Sequence, residues 1–490
     1  MRIIIVLFFT LFLATQAAAQ QFRMHFTKET FSKPFSGHVI LYLSAKNENP
    51  KNGITWPCYG MEVKNLKPGD VIVFNDKATS FPVPLSQLRR GDYYVQAVFD
   101  RNLGGRTIGG SVGNMYSAAS KKITLASKEE SIDIVCDQVV PAKTFVNSLY
   151  VKEIKVPSKL LSDFHHTPTT IDAPVILPKE YWSEPGRKFP VLFTIAGYGS
   201  DYHHYSTTES NDTMPANPID TIPCIRIYLD GNSPLGHTCY ANSANNGPWG
   251  DAFVKEFLPE LKKRFRCDGA FLLRGHSSGG WAALWLQVMY PTVFSGCNSS
   301  APDPVDFRGF GQTNLYEDDF YLDDANSLII GPVHYGDDSV LQAKLRHHNI
   351  EDVLYRGEQT VSFDAVFSAK GKDGMPERLL DFKTGKINHQ VFRHWIQYDI
   401  SFYLDKNAAK VIPLLGDKVR ISAGTEDKAQ SPAIRLMETR VGKTFPDIRF
   451  DYYPGNHFSV VTAGYKKDEL AWLRDKYLEW LKGKQQVSKN

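Results

Sequence analysis

The stretch from Ala270 to Met289 constrains this chain more than any other. An apolar run, Ala270 to Leu273, enters Gly275-His276-Ser277-Ser278-Gly279, and Trp281, Ala282, Ala283, Leu284, Trp285, Leu286 and Met289 follow as a buried helix would. The pattern is strand, tight turn, helix, with G-x-S-x-G on the turn. Glycines two before and two after the serine let strand and helix approach without Cβ clashes. A serine hydroxyl is a poor nucleophile unless it stands on such a turn, beside a base and beneath backbone N–H donors. In a chain with 36 glycines the five-residue pattern alone is weak, and it is the flanking strand and helix that give it weight.

At 490 residues the chain is long enough for two domains and a large core. A formal net charge of +3 over that length, without a basic stripe interleaved with aromatics, gives no case for nucleic acid. Arg2, the apolar run Ile3 to Ala14 and the small residues Ala17-Ala18-Ala19 read as a cleavable signal peptide over residues 1–19. The run is too short to span a bilayer, and no membrane insertion is expected of the mature protein, which is placed in the periplasm or outside the cell. Six cysteines, Cys58, Cys136, Cys224, Cys239, Cys267 and Cys297, are an even number in an oxidising compartment. Cys58 with Cys136 and Cys224 with Cys239 are the pairs to suspect, with buried free thiols the competing expectation. Metal-ligand spacing such as C-x-x-C is absent, and the acidic cluster Glu317-Asp318-Asp319 with Asp323-Asp324 lacks the D-x-D-x-D-G spacing of a calcium loop.

Residues 21–145 alternate in short runs between Gly, Pro, Asn and Asp turns, which predicts a β-sandwich accessory domain with strands near His38–Ser44, Val71–Asn75, Tyr93–Phe99, Lys122–Ala126 and Ile132–Val135. From 146 to 485 the texture changes. Strand candidates Val151–Val156, Ile171–Leu177, Pro190–Ile195, Ile222–Leu229 and Ala270–Leu273 alternate with longer stretches, the mark of an α/β sheet. The segment 303–407 interrupts that rhythm and is expected to lie over the ligand crevice as a lid or cap. Then Val419–Ala423 runs into Gly424-Thr-Glu-Asp427, and Ile448, Phe450 and Tyr452 alternate into Pro454-Gly-Asn-His457.

An activated serine needs a base, and the base needs an orienting acid. Ser277, Asp427 and His457 occur in the chain order serine, acid, histidine, each on a loop after a strand. Glu426 and Asp303 are rivals for the acid. The oxyanion hole would combine the N–H of Ser278 with that of Tyr198, at the glycine-rich end of the strand Phe193-Thr-Ile-Ala-Gly-Tyr-Gly199. Trp249, Tyr240, His203 and His204 lie on loops expected to border the crevice and are candidates for substrate contact.

The set Ala196-Gly-Tyr-Gly199, Asn246-Gly-Pro-Trp-Gly-Asp251, Gly275-His-Ser-Ser-Gly-Gly280, Ser299-Ser-Ala-Pro-Asp-Pro304, Gly424-Thr-Glu-Asp427 and Pro454-Gly-Asn-His457 resembles the putative esterase family, which includes esterase D, enterochelin esterases, feruloyl and acetylxylan esterases and mycolyltransferases. The resemblance covers about Val151 to Lys482. It implies an α/β-hydrolase catalytic domain, here preceded by a smaller all-β sandwich-like domain. It carries the family's serine, acid and histidine onto Ser277, Asp427 and His457, and its oxyanion donors onto Tyr198 and Ser278. The chain departs from the family in having Ala196-Gly197 where His-Gly is frequent, and in the length of the 303–407 insertion. The expected activity is a serine carboxylic-ester hydrolase acting on acyl or hydroxycinnamoyl esters of carbohydrate, with no metal or cofactor. Siderophore ester hydrolysis and acyl transfer are alternatives on the same triad. A non-catalytic binding protein with the same fold is the alternative of a different class.

Overall fold

The computed structural model describes residues 21–487 apart from 53–54, 119–120, 126–130, 207–213, 322–330, 336–338, 344–345 and 383. The expected leader at 1–19 and the Asp323-Asp324 half of the acidic cluster lie outside the described residues. The chain divides into two compact units, one reaching to Asp100 and resuming from Met115 to Gln138, the other taking Arg101–Asn114 and everything from Val139 onward.

The first unit is all β. Its strands form because apolar residues recur at every second position: in Gln21–Phe26, Phe22, Met24 and Phe26 are fully buried while Gln21 and Arg23 face out. That strand pairs in parallel with Ser131–Cys136 and antiparallel with Ile72–Phe74. A larger sheet is centred on Phe35–Ser44, antiparallel to both Cys58–Leu66 and Gly91–Asp100. Phe22, Phe26, Phe35, Leu41 and Phe99 fill the core of this unit.

The second unit carries the site, and eight of its strands are needed to describe it: β1 (Val151–Pro157), β2 (Thr170–Ile176), β3 (Phe189–Ile195), β4 (Ile225–Leu229), β5 (Cys267–His276), β6 (Gly296–Ser300), β7 (Val419–Gly424) and β8 (Arg449–Tyr453). They form one sheet in the order β1-β2-β4-β3-β5-β6-β7-β8. Only the pairings of β2, with β1 and with β4, are antiparallel. From β4 to β8 all strands run the same way. This is an α/β-hydrolase sheet. Its central strands are apolar at nearly every position because both faces are covered: β3 buries Phe189, Val191, Leu192, Phe193 and Ile195.

One face is covered by the helix Ser278–Met289 and by helical turns from Trp249 to Arg264. The other is covered by the helix Ala463–Val487, whose Trp472, Leu473 and Tyr477 pack with Leu192, Ala270 and Leu272. The described part of the 303–407 segment folds into the same core as the sheet. Phe307 lies against Phe310, Phe367 and Trp395 at ring-centroid distances of 5.7, 5.6 and 5.9 Å, and Phe367 meets Trp281 of the Ser278–Met289 helix at 5.2 Å. Each such ring removes about 1.5–3 kcal/mol of apolar surface energy from water, so this segment is held to the sheet rather than resting on it.

All six cysteines are free thiols, which corrects the suspected pairings. Cys224 and Cys239 stand on opposite sides of β4, a strand of 5 residues. Cys224 packs into the cluster of Leu192, Ala270, Leu272 and Trp472, whereas Cys239 belongs to the separate core that holds Phe253 and Trp281. The Cys136 thiol, buried, instead points to the Ala97 carbonyl at 3.6 Å.

Candidate active site

The parallel register aligns the strand ends on which the site is built. Ile195 pairs with Gly275, His276 with Ser300, Ser300 with Ser422, and Gly424 with Tyr453. The loops after β3, β5, β6, β7 and β8 therefore leave the sheet at one edge, and these loops carry Tyr198, Ser277, Asp303, Asp427 and His457.

Ser277 sits at φ 59°, ψ −129°, a conformation that is strained for a residue with a Cβ. The surroundings force it. A Cβ on Gly275 would lie 2.0 Å from the Gly279 carbonyl oxygen, and one on Gly279 would lie 2.1 Å from that of Ile195. The turn is pinned by the Ser277 N–H donating to the Ser300 carbonyl at 3.1 Å, and by the Ser277 carbonyl accepting from the Trp281 N–H at 3.0 Å. Ser278 is the first residue of the helix, where N–H groups have no acceptor inside the helix.

The β7 and β8 loops bind one another before they bind anything else. Thr425 N–H donates to the Tyr453 carbonyl at 2.8 Å and Glu426 N–H to the Gly455 carbonyl at 3.0 Å. Asn456 Oδ1 accepts the N–H groups of Phe458 and Ser459, at 3.0 and 3.1 Å, and so fixes the turn bearing His457. With both loops tied, Asp427 Oδ2 lies 3.1 Å from His457 Nδ1. Its other oxygen accepts the N–H groups of Ala429 and Gln430 at 3.1 and 3.0 Å. Burial pushes the Asp427 carboxyl up, but the hydrogen bonds with His457 and with the Gln430 and Ala429 N–H groups outweigh it and leave the group below its usual range. Glu426, by contrast, is exposed.

Asp303 occupies a different place. It is buried, and its carboxylate accepts from the Ser278 hydroxyl at 2.5 Å and from the Ser277 hydroxyl at 3.5 Å. Burial holds this carboxyl well above the usual range, with the Ser278 hydrogen bond and the nearby His457 pulling the other way. The acid on the histidine is thus Asp427 in this structure, and the acid on the two serines is Asp303. Among the described residues no hydrogen bond joins Ser277 Oγ to His457. In unliganded enzymes such bonds are commonly long and close only around substrate.

Several residues escaped the sequence reading. His276, inside the elbow itself, packs its ring against His457 at 4.8 Å between centroids. Burial, then the charge of His457, pushes it down to about 4, so it stays neutral at ordinary pH and is a weaker base than an ordinary histidine. His237 is buried, takes the Cys239 N–H on Nδ1 at 3.0 Å and so has Nε2 to donate to the Ala196 carbonyl, also at 3.0 Å. It anchors the start of the loop bearing Tyr198. Gly197 comes close to the nucleophile: a Cβ there would lie 3.4 Å from Ser277 Cβ.

The four candidates for substrate contact fare differently. Trp249 and Tyr240 are 8% and 2% exposed, packed edge to face at 5.9 Å within the hydrophobic core, and the structure does not bring them to Ser277. His203 is half-buried and bonds Asp201 Oδ1 at 2.8 Å, its ring tilted against Phe145 at 6.3 Å between centroids. His204 is exposed and holds the Asp201 carbonyl. Neither contacts a residue of the serine, acid and histidine set.

Residues 165–353 match the family model described as Esterase: Putative esterase. The chain carries an esterase domain. The matched segment of this domain includes Tyr198, Ser277, Ser278 and Asp303, but it ends before Asp427 and His457, whose assignment stands on the geometry above. Among solved structures, a ferulic acid esterase is 14% identical, with a TM-score of 0.39, over 66% of this chain and 98% of that one. The Staphylococcus aureus fluorophosphonate-binding serine hydrolase FphF is 14% identical, with a TM-score of 0.38, over 67% and 99%. An S-formylglutathione hydrolase from Agrobacterium tumefaciens is also 14% identical, with a TM-score of 0.37, over 67% and 97%. No curated protein matches the sequence. Among the described residues, no helix of the esterase or of the β unit is long and apolar enough to cross a membrane, and no cluster of His, Cys, Asp and Glu is arranged to hold a metal ion.

Proposed function

We propose that this ester hydrolase works by a Ser277, His457 and Asp427 mechanism. The observation that carries the reading is the Asp427–His457 pair, 3.1 Å apart, at the same sheet edge as a serine held in elbow geometry. Substrate closes the serine to the histidine. His457 Nε2 then takes the Ser277 proton as Oγ adds to the ester carbonyl, and the N–H groups of Tyr198 and Ser278 hold the oxyanion. Collapse expels the alcohol, which receives the proton from His457. Water, deprotonated by the same nitrogen, releases the acid and restores the serine.

The substrates proposed are acyl or hydroxycinnamoyl esters of carbohydrate, met outside the cytoplasm after removal of residues 1–19. What favours a ring-bearing substrate is Phe458, the residue after His457, which is 86% exposed and meets the His457 ring edge to face at 5.2 Å. An aromatic face open to solvent at the base offers a stacking platform for a sugar or a phenolic ring. The test is hydrolysis of p-nitrophenyl acetate and methyl ferulate by the mature protein beside Ser277→Ala. Activity abolished by the substitution supports the serine mechanism, and the ratio of the two esters begins to define the acyl pocket. Equal inactivity of two folded proteins on these esters and on acetylated or feruloylated oligosaccharides would sink the proposal in favour of a binding role.

A further inference from the structure

We infer that Arg106, on the loop joining two strands of the β unit, is a positioning residue for the oxyanion loop and thereby part of the catalytic apparatus. The inference rests on the reading of the Tyr198 N–H as an oxyanion donor. The loop Arg101–Asn114 interrupts the first unit between Asp100 and Met115 and belongs by its packing to the catalytic one. From it, Arg106 Nη1 donates to the Tyr198 hydroxyl at 2.6 Å and to the Gly357 carbonyl at 3.5 Å. The guanidinium carbon stands 4.4 Å above the centre of the Tyr198 ring. The Tyr198 hydroxyl in turn donates towards Glu358 Oε2 at 2.9 Å and the Gly357 carbonyl at 2.8 Å. Arg106 and Glu358 lie 4.0 Å apart with side chains 15% and 12% exposed, so their attraction is only weakly screened.

The fit is close in the backbone as well. Gly357, at φ +86°, approaches so near that a Cβ would stand 2.2 Å from the Arg106 carbonyl oxygen. Arg356 Nη1 donates to the Gly105 carbonyl at 2.9 Å. Two segments far apart in sequence, Gly105–Arg106 and Arg356–Glu358, therefore meet on one side chain of the oxyanion loop.

The chemistry explains why that side chain has to be held. Tyr198 stands between Gly197 and Gly199, the latter at φ +92°. Glycines give the peptide freedom in both directions, and neither offers a side chain to fix it. His237 secures the loop at Ala196. On the far side Asn232 Nδ2 donates to the Ser200 carbonyl, and between these two anchors the Tyr198 phenol is what can be gripped, by Arg106 with Glu358. An oxyanion donor works only when preorganised within a few tenths of an ångström of the developing charge. Loosening the phenol frees the N–H without touching Ser277, His457 or Asp427.

The test is a double-mutant cycle on the full chain with p-nitrophenyl acetate, using Arg106→Ala, Tyr198→Phe and the pair. Active sites are counted by fluorophosphonate labelling and folding is followed by thermal melting. A single oxyanion donor is worth about 10²–10³ in kcat, and displacing rather than deleting it is expected to cost roughly 10- to 100-fold. Each single variant should lose that much in kcat per active site with KM within about twofold. The pair should lose no more than the worse single, because both act through one contact. Arg106→Lys should regain part of the loss, since an ammonium can still donate to the phenol. Tyr198→Phe removes one oxygen and keeps the ring packed, so it answers even where Arg106→Ala fails to fold. Wild-type kcat in Tyr198→Phe, or a double loss equal to the product of the singles, would overturn the inference. In either case, activity abolished by Ser277→Ala would leave the esterase reading standing. A wild-type protein that hydrolyses no ester would remove the site reading and this inference together.

Discussion

Replacing Asp427 by asparagine changes one atom and should cost about four orders of magnitude in kcat. The reason lies in how its two oxygens are used. Oδ1 accepts two backbone N–H groups, from Ala429 and Gln430, so an asparagine must turn its carbonyl oxygen to that side. The amide NH₂ then faces His457 Nδ1 at 3.1 Å. Two donors cannot face each other, so Nδ1 gives up its proton and the ring takes the tautomer protonated at Nε2. That is the nitrogen that must accept the proton of Ser277. Trapping the wrong tautomer costs about 10⁴ in kcat in serine hydrolases, about 5.5 kcal/mol of transition-state stabilisation.

Asp303→Asn is the control the structure supplies. Its carboxylate accepts from the Ser278 and Ser277 hydroxyls and makes no hydrogen bond to His457. An asparagine oxygen can still accept from Ser278, and the histidine tautomer is unaffected. The loss expected is about 10-fold or less. Steady-state kinetics with p-nitrophenyl acetate at constant pH, normalised to fluorophosphonate-labelled sites, measures both. If Asp427→Asn keeps more than a tenth of wild-type kcat while Asp303→Asn is dead, the geometric assignment of the acid is refuted.

Arg420 is fully buried and donates to Asp451 at 2.6 Å, to the Tyr453 hydroxyl at 2.6 Å and to Asn298 Oδ1 at 2.5 Å, tying β6, β7 and β8 together. Arg420→Met fills the space but strands Asn298 Oδ1, while Asp451 keeps Arg449 at 2.8 Å. The expected loss is about 2–3 kcal/mol in urea unfolding followed by tryptophan fluorescence, and a loss under about 1 kcal/mol would contradict it. Glu351 is buried and caps the Gln359–Phe367 helix through the N–H groups of Thr360 and Val361. Burial first, then the charge of Glu358, pushes its carboxyl up to about 8. The folded state keeps a proton that the unfolded chain has released, so this group's contribution falls as pH rises from about 4 to about 8, by at most about 1.4 kcal/mol per pH unit. Glu351→Gln should flatten that slope and be the more stable protein at pH 8.5; an unchanged slope in pH-dependent melting would refute this. Finally, the five buried thiols should resist a water-soluble disulfide reagent until the protein unfolds, and dithiothreitol should leave the melting temperature unchanged. A drop of several degrees under reductant would instead indicate a disulfide.

The sequence made the elbow legible because its pattern is local: a strand, two glycines around a serine and a buried helix are contiguous, and the clash that Gly275 avoids, with the Gly279 carbonyl, lies within five residues, although the one Gly279 avoids is with the distant Ile195 carbonyl. The acid was less legible for a physical reason. Asp303, Glu426 and Asp427 all follow strands, and spacing along the chain says nothing about which oxygen meets Nδ1. That is decided by the register of β7 on β8 and by the two loops bonding to each other. The Cys224–Cys239 suspicion failed in the same way, since 15 positions of separation do not say that the two side chains end in different buried clusters. Trp249 and Tyr240 illustrate the converse. A loop position suggested exposure, yet loops in this unit fold inward wherever their aromatic residues reach the core, and Tyr240 does so with φ at 48°. Arg106 had no local signal beyond the Gly104-Gly105 turn before it, because its partners lie 92 and 251 positions away. What escapes a reading of the chain here is what depends on contacts between distant segments. In this esterase the residues proposed to tune the nucleophile and the oxyanion loop are of that kind, whereas the nucleophile itself is not.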